Sequence, residues 1–235
     1  QAGVRYSIEN PRVYLESNIL GFQSVLEFVS KKGIERFLYA SSSSVYGKNS
    51  TQPFSEKAPC NSPESYYAST KRANELMAKS YFKTEGLSSI GLRFFTVYGP
   101  WGRPDMAPML FTQAGSANKT ISVFNHGKQE RDFTYVDDIV EGIFQLTTVE
   151  DFPNQSLVCN IGYGKPVGIM DFISLLEKSI GREFRKEFVP AQKGDVESTY
   201  ADTSLLESLV DYKAKVSLDV GIPLFIDWYN SYFKD

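Results

Sequence analysis

Histidine and cysteine are scarce in this chain. Its 235 residues include one histidine, His126, and two cysteines, Cys60 and Cys159. Two cysteines provide no disulfide framework, which favours a reducing compartment, the cytoplasm. A single histidine argues against a histidine-based metal site and against a Ser-His-Asp triad, so we expect no bound metal.

Long apolar runs and a basic surface are also missing. No stretch approaches the roughly 18 apolar residues of a membrane span, and the first residues lack the charged-then-apolar pattern of a secretory signal. A net charge of −3 does not suit a surface for nucleic acid or anionic lipid. We therefore expect no nucleic-acid or membrane partner. The 42% hydrophobic content is enough for one domain with a smaller lobe.

A phosphate-binding loop of the Gly-x-Gly-x-x-Gly type is a third absence. Such a loop follows the first strand of a dinucleotide-binding fold and places backbone N–H groups against the pyrophosphate. The glycine-rich stretch that does occur, Gly162-Tyr-Gly-Lys-Pro-Val-Gly168, has the wrong spacing and contains a proline. We interpret it as a loop that precedes a helix over 169–179.

What the chain does contain is a strand that ends in hydroxyl groups. Arg36-Phe-Leu-Tyr-Ala40 has the length and the residue types of a buried strand. Ser41 to Ser44 follow at or just past its carboxyl end. Because ligands of open α/β sheets bind at the carboxyl ends of the strands, these hydroxyls are candidate site residues.

A tyrosine and a lysine four residues apart, Tyr67 and Lys71, follow the serine run. A helix places residues with this spacing on one face. Tyrosine is a poor base, with an unperturbed pKa of about 10, but a neighbouring cation favours the phenolate. The pattern therefore indicates proton transfer coupled to hydride transfer, with Tyr67 as general base, Lys71 as the cation and Ser42 sharing the proton.

Helices and strands alternate along this part of the chain. Asn10-Pro11 predicts the start of a helix, with an asparagine cap and a proline at the first helical position. That helix covers 11–32 and leads to the strand at Arg36; a second helix over 65–84 leads to a strand over 89–95. The alternation is typical of βαβ units and predicts an α/β fold with a parallel sheet.

Further elements are predicted after Met109: a helix, a strand over 121–124, a helix over 136–147 and a last helix from about Ser217. Asp137-Asp138 resembles a metal-binding pair, but we interpret it as interacting with the dipole at a helix start. Pro223 lies inside the last helix, so we expect that helix to start late or to kink there.

The combination of Ser42, Tyr67-Ala-Ser-Thr-Lys71 and Leu92-Arg-Phe-Phe-Thr-Val-Tyr-Gly-Pro100 resembles the extended short-chain dehydrogenases/reductases. The likeness covers nearly the whole chain and is strongest with the UDP-glucuronate 4-epimerase branch of the sugar-nucleotide epimerases. It implies a Rossmann-like parallel sheet with a smaller C-terminal substrate-binding lobe. It also implies NAD as cofactor and a UDP-sugar as substrate.

The resemblance assigns roles to matching positions of this chain. The implied catalytic residues are Ser42, Tyr67 and Lys71. The implied NAD contacts are Ala2, Gly3, Arg5, Ser17, Ser42, Tyr67, Lys71 and Phe95. The implied contacts to the UDP-sugar are Ser43, Ser44, Thr96, Arg103, Phe124, Arg131 and Asp195.

Two features depart from the family pattern. Where UDP-galactose 4-epimerases carry an arginine, this chain has Gln192. In addition, the family's first cofactor-binding elements, roughly 80 residues at about 30 per βαβ unit, are expected ahead of Gln1, so the chain is interpreted as a fragment. A non-catalytic sugar-nucleotide-binding module is therefore the alternative from another class of function.

The resemblance also predicts how the chain divides and assembles. Residues 1–100 would be the remainder of the Rossmann-like domain, with further elements from about 120–147. Residues 101–235 would form mainly the substrate-binding lobe, interleaved with the first domain. Extended members of the family commonly form homodimers through the helices that here cover 11–32 and 65–84.

The residues before Val45-Tyr-Gly47 bear on the reaction. The related 4,6-dehydratases place Asp-Glu there, and the decarboxylases that make UDP-xylose keep the glutamate; this chain has Ser43-Ser44. Neutral hydroxyls do not repel a sugar carboxylate, and Arg103 can pair with it. We therefore predict C4 epimerisation of UDP-glucuronate to UDP-galacturonate through a 4-keto intermediate. Another UDP-hexose 4-epimerase and a UDP-glucuronate decarboxylase remain alternatives.

Overall fold

The computed structural model describes residues 1–48, 51–191 and 196–233. Its α-helices are α1 (Val4–Glu9), α2 (Pro11–Tyr14), α3 (Gly21–Lys31), α4 (Tyr66–Glu85), α5 (Ala107–Ser116), α6 (Val136–Thr148), α7 (Ile169–Ile180), α8 (Ser204–Leu209) and α9 (Leu218–Tyr232). A π-helical segment, Leu15–Leu20, joins α2 to α3, and a 3₁₀ turn covers Ser43–Tyr46.

The strands are β1 (Phe37–Ser42), β2 (Ser89–Phe94), β3 (Thr96–Tyr98), β4 (Ile121–Val123), β5 (Glu130–Arg131), β6 (Phe133–Tyr135), β7 (Ser156–Ile161), β8 (Val167–Gly168), β9 (Lys186–Phe188) and β10 (Ser198–Thr199). The chain forms two compact units that are interleaved in sequence. The first contains residues 1–94, 142–161 and 201–212; the second contains residues 95–141, 162–200 and 213–235.

The first unit is built on a parallel sheet of order β1-β2-β7, so the predicted α/β fold is confirmed. The register aligns Ser41 with Arg93 and Arg93 with Asn160. Paired residues of neighbouring strands point to the same face of a sheet. Three polar side chains therefore cross this face in one row, near the carboxyl ends of the strands.

The helix predicted over 65–84 is α4, and its ends follow the expected capping chemistry. The Ser65 hydroxyl accepts a hydrogen bond from the Ala68 N–H at 3.1 Å, which caps the first turn. Gly86 ends the helix in the left-handed conformation, with φ of 72°. Local sequence therefore fixes where the helix carrying Tyr67 and Lys71 begins and ends.

The predicted helix over 11–32 differs from expectation in two ways. Asn10 makes no side-chain cap; its own N–H bonds to the Tyr6 carbonyl, because α1 precedes it directly. The helix also widens into π geometry over Leu15–Leu20. Such segments are rare and often occur at functional sites, and this one surrounds the buried Asn18.

The second unit has its own apolar core, which α7 and α9 share. Its short strands pair as β3-β6, β4-β9 and β10-β5-β8. The last helix was expected to start late or to kink at Pro223; the late start is wrong, because α9 begins at Leu218 and runs through Pro223. Because Pro223 lies in the second turn, its missing N–H removes a single early hydrogen bond.

Among the described residues, none of the helices combines the length and the apolar character needed to cross a bilayer.

The division of the two units into a cofactor-binding and a substrate-binding part stays a prediction.

Candidate active site

Ser42 is the last residue of β1 and the cap of the 3₁₀ turn that follows. Its hydroxyl accepts a hydrogen bond from the Ser44 N–H at 3.2 Å, and the residue is 7% exposed. Ser43 and Ser44 lie in the turn and are half-buried. Ser42 is therefore buried, whereas Ser43 and Ser44 are partly accessible.

Lys71 packs against this strand end from α4. Its ammonium donates a hydrogen bond to the Ala40 carbonyl at 2.8 Å, two residues before Ser42. Burial lowers the pKa of Lys71, since desolvation penalises the charged form. Tyr67 lies one helical turn earlier and is half-buried.

Tyr14 connects Tyr67 to the first residues of the chain. The Tyr14 hydroxyl donates to the carbonyls of Ala2 and Gly3 at 2.9 and 2.6 Å. Its ring meets the Tyr67 ring edge to face, with centroids 6.0 Å apart. Gly3 has a φ of 108°, which a residue with a side chain rarely adopts.

The other two implied NAD contacts of the first unit lie on exposed surface. Arg5 is exposed on α1, and Ser17 is exposed on the π-helical segment. The Ser17 hydroxyl bonds to the Val13 carbonyl at 2.7 Å and to Asn18 Oδ1 at 3.2 Å. The roles of Arg5 and Ser17 as NAD contacts stay predictions.

Asn18 is a site feature that sequence reasoning did not identify. Its side-chain amide donates to the Thr70 hydroxyl at 3.0 Å, and its backbone carbonyl accepts from the Asn74 side-chain amide at 2.6 Å. Thr70 in turn bonds to the Tyr67 carbonyl at 2.8 Å. An asparagine next to an apolar helix face was the available signal, but only the fold shows that it is 5% exposed.

A buried ion pair under α4 was also missed. The Glu75 carboxylate accepts two hydrogen bonds from Arg93, both at 2.8 Å. Both side chains are 1% exposed. Burial alone would raise the pKa of Glu75, but the bonds from Arg93, Ser41 and Arg72 outweigh it and hold the pKa below its usual value.

The second unit carries most of the implied sugar-nucleotide contacts. Phe95, the implied NAD contact in this unit, is 7% exposed. The N–H of Thr96, an implied UDP-sugar contact, donates to the Asp132 carbonyl at 3.1 Å. Arg103 forms a two-pronged ion pair with Asp105, at 3.1 and 2.5 Å, on exposed surface. This partner was not foreseen from the sequence.

Two further residues of the second unit were predicted to contact the nucleotide. Phe124 directly follows β4 and is half-buried. The Arg131 guanidinium donates to the carbonyls of Glu130 and Glu197, at 2.7 and 3.1 Å. The predicted ribose contact Asp195, like Gln192, lies outside the described residues.

The donor groups of the first unit suit the ribose of a nicotinamide cofactor. The Lys71 ammonium has three N–H donors, and the Ala40 carbonyl takes one of them. The other N–H donors of Lys71, together with the hydroxyls of Ser42 and Tyr67, can form hydrogen bonds to ribose oxygens. The residues present therefore fit the reactive end of NAD.

Comparison with known proteins agrees with this geometry. The model of the NAD dependent epimerase/dehydratase family matches residues 1–162. Protein CapI of Staphylococcus aureus is 47% identical, over 100% of this chain and 75% of that protein. The probable UDP-glucuronate 4-epimerase of Rhizobium meliloti is 39% identical, over 100% of this chain and 73% of that protein.

Solved structures give the same result. The UDP-glucuronic acid 4-epimerase from Bacillus cereus, crystallised with UDP-glucuronic acid and NAD, superimposes with a TM-score of 0.93 at 34% identity. The match covers 99% of this chain and 73% of that chain. MoeE5, solved with the same two ligands, gives a TM-score of 0.92 at 34% identity, over 99% of this chain and 77% of that one. Sequence and fold together show that the chain belongs to the NAD-dependent epimerase/dehydratase family, within the extended short-chain dehydrogenases/reductases.

Proposed function

We propose that the enzyme epimerises UDP-glucuronate at C4 of the sugar and produces UDP-galacturonate. The observation that carries the proposal is the neutral strand end: Ser43 and Ser44 stand where related dehydratases and decarboxylases have acids. The similarity to UDP-glucuronate 4-epimerases of Rhizobium meliloti and Bacillus cereus supports the same substrate.

Tyr67 takes the proton of the C4 hydroxyl in this proposal. The Lys71 ammonium favours the phenolate form of Tyr67 by its charge, and Ser42 shares the proton through a hydrogen bond. The bond from Lys71 to the Ala40 carbonyl supports this arrangement, because it keeps the ammonium beside the strand end. When bound, NAD would supply the hydride acceptor for C4.

The substrate carboxylate must not be lost as carbon dioxide when C4 is oxidised. A ketone at C4 makes the sugar a β-keto acid, which loses carbon dioxide when the carboxylate charge can move into the ring. Hydrogen bonds to the carboxylate oppose this by stabilising the charge where it starts, at about 1.5–3 kcal/mol each. We assign that role to Ser43, Ser44 and Arg103.

Arg103 can change partners at small cost. In the structure its guanidinium binds Asp105, and the side chains of the two residues are 42% and 60% exposed. An exposed ion pair contributes about 0–1 kcal/mol. A substrate carboxylate held in a water-poor site can therefore replace Asp105 as the partner of Arg103.

The enzyme is also proposed to act as a homodimer through the helical region 11–32 and α4. Large apolar side chains on these elements support an interface: Leu20, Phe28 and Leu76 are 59%, 57% and 53% exposed. Sedimentation velocity tests it. Phe28→Glu should shift the full-length protein towards monomer, and an unchanged sedimentation coefficient would rule out this interface.

The function is tested by incubating the full-length gene product with UDP-glucuronate and NAD, and identifying the products by NMR. UDP-galacturonate is the expected product. Release of carbon dioxide with UDP-xylose would instead assign the decarboxylase, and conversion of UDP-glucose alone would assign a hexose epimerase. Binding of the nucleotide sugar without any conversion would assign the non-catalytic module.

A further inference from the structure

The carboxylate of Glu75 is the centre of a buried polar cluster beneath α4. Glu75 lies one turn after Lys71 and two turns after Tyr67 on that helix. Besides its two bonds from Arg93, the carboxylate accepts one from the Ser41 hydroxyl at 2.6 Å and one from Arg72 at 2.8 Å. Its oxygens therefore receive hydrogen bonds from β1, from β2 and from its own helix.

Ser41 is the link between this cluster and the reacting groups. It is 2% exposed, immediately precedes Ser42 and is aligned with Arg93 in the sheet. Its bond to Glu75 joins the end of β1 directly to the helix that carries Tyr67 and Lys71. A second bond between the same elements, from Lys71 to Ala40, lies one residue earlier on the strand.

The cluster extends to the turn after Ser42. The Arg93 guanidinium lies 4.7 Å from the centroid of the Tyr46 ring. The Tyr46 hydroxyl donates to Asn160 Oδ1 at 2.6 Å, and Asn160 is aligned with Arg93 on β7. Both ends of the segment from Ser41 to Tyr46 are therefore held by one buried set of partners.

Stability alone does not explain a charged cluster at this place. Burying an ion pair costs desolvation energy, and apolar residues of similar volume often give equal or greater stability. Short directional hydrogen bonds do what apolar contacts cannot: they fix the distance and the angle between a helix and a strand end. Such control is valuable beside a catalytic group, because a misplacement of about 1 Å can cost 100-fold in rate.

We infer that Glu75 is a positioning residue: through Ser41 and Arg93 it sets the position of Ser42 relative to Tyr67 and Lys71. The inference rests on the proposed function, since it assumes that these three residues perform the chemistry. Glu75 touches neither the sugar nor the cofactor in this role, and it acts through Ser41.

Ser41→Ala is the sharpest test. It removes only the bond between the strand end and Glu75, and it leaves the Glu75–Arg93 pair intact. Replacing Glu75 itself would leave the buried Arg93 charge without its partner and endanger folding. The matched control is Ser89→Ala: Ser89 is 0% exposed, and its hydroxyl donates to Ser156 at 3.1 Å at the opposite end of the same sheet.

Both variants should lower the melting temperature of the full-length protein, Ser41→Ala somewhat more, because its lost hydrogen bond goes to a charged carboxylate. Only Ser41→Ala should lower kcat, by roughly 10- to 100-fold, with KM for the nucleotide sugar within twofold of the parent. Amide hydrogen exchange of residues 43–46 and 66–71 should rise about tenfold in Ser41→Ala alone.

Three results would overturn the inference: equal kcat in the two variants, a loss confined to KM, or faster exchange without a loss of kcat. If the proposed function is wrong, the parent protein itself does not convert UDP-glucuronate, which distinguishes this case from failure of the positioning role. In that case kcat is measured on the nucleotide sugar that the parent does convert, and the exchange comparison needs no substrate.

Discussion

The rings of Tyr14 and Tyr67 lie edge to face, with an angle of 70° between their planes. Tyr14 is completely buried, and its hydroxyl holds the carbonyls of Ala2 and Gly3. The proposed general base is therefore supported by a ring that is itself fixed to the backbone. This contact, together with the bonds of Lys71 and Glu75, restricts the face of α4 that carries the proposed base and cation.

Removing the proposed base or its cation should nearly abolish turnover of the full-length enzyme. Tyr67→Phe and Lys71→Met are each expected to lower kcat by about 10²–10⁴-fold, the usual contribution of positioned proton transfer. Steady-state rates on UDP-glucuronate measure the effect, with circular dichroism to confirm folding.

Two residues of the same helix provide matched controls. Tyr66 is 40% exposed at the first position of α4, and Lys79 is exposed two turns after Lys71. Tyr66→Phe and Lys79→Met should leave kcat within threefold of the parent, roughly 0.6 kcal/mol. Rates this close to the parent for Tyr67→Phe or Lys71→Met would refute the assignment of the catalytic residues.

Arg103→Ala should change substrate preference. Its guanidinium is assigned to the sugar carboxylate, so the variant should lose kcat/KM for UDP-glucuronate by roughly 10- to 100-fold, as for one charge-assisted hydrogen bond, and change little for UDP-glucose. Some pentose product is also expected, since the carboxylate loses stabilisation at the 4-keto stage. Product ratios by NMR and kcat/KM on both sugars measure the change.

Asp105→Asn is the control that tests the ion pair independently of the proposed substrate contact of Arg103. It removes the charge that holds Arg103 in the structure and keeps the guanidinium, so selectivity should change by less than about fivefold. If Arg103→Ala loses activity equally on both sugars, Arg103 contacts the diphosphate or supports the fold, and the uronate assignment loses its main physical support.

Glu75→Gln should destabilise the protein at neutral pH by about 3–5 kcal/mol, because it leaves the buried Arg93 charge without a partner. The folded-state pKa of Glu75 lies below the ordinary value of 4.5. Its stabilising contribution is thus complete above about pH 4.5 and is lost as the pH falls through the lower, folded-state pKa. The difference in stability between parent and variant should therefore narrow in acid.

Urea unfolding at a series of pH values measures this difference. Glu16→Gln is the matched control, since Glu16 pairs with Arg12 on exposed helix surface, with side chains 57% and 88% exposed. That change should cost within about 0.5 kcal/mol. A Glu75→Gln penalty as small as the control's would show that the buried pair does not stabilise the fold.

Two helical glycines should respond to alanine with opposite signs. A Cβ at Gly221 would overlap the hydroxyl of Tyr98, a ring packed among buried aromatics of the second unit. A Cβ at Gly21 would meet only the Glu16 carbonyl, at 3.6 Å. Gly21→Ala should thus gain about 0.5–1 kcal/mol from helix propensity, whereas Gly221→Ala should lose about 1–3 kcal/mol from overpacking. Thermal unfolding distinguishes them, and stabilisation by both changes would contradict the packing of Tyr98.

Local chemistry allowed much of the fold to be predicted from the sequence. The order of helices and strands, the cap at Ser65 and the glycine at 86 follow from patterns within a few residues, and α4 begins and ends within about one residue of expectation. Asn10 and Pro11 occupy the predicted N-cap and first helical positions, but the Asn10 side chain makes no cap hydrogen bond.

The placement of Ser42 at a strand end and of Tyr67 and Lys71 on one helix face could be predicted for the same reason. Side chains repeat every 2 residues along a strand and every 3.6 residues along a helix. The hydrogen-bond partners that hold these residues in place could not be predicted from the sequence. Ser41 and Glu75 are 34 residues apart, Asn18 and Thr70 are 52 apart, and Tyr46 and Asn160 are 114 apart. No periodicity in a sequence relates positions so distant.

The sequence by itself determined which residues lie at the strand end and on the helix face, because the regular repeats of a strand and a helix place them there. Only the tertiary structure decided which buried polar groups satisfy one another. Arg93, Glu75 and Asn160 each need partners once they leave water, and the register of β1, β2 and β7 against α4 selects those partners. That register depends on the packing of the whole unit, so it becomes visible only when the chain is folded.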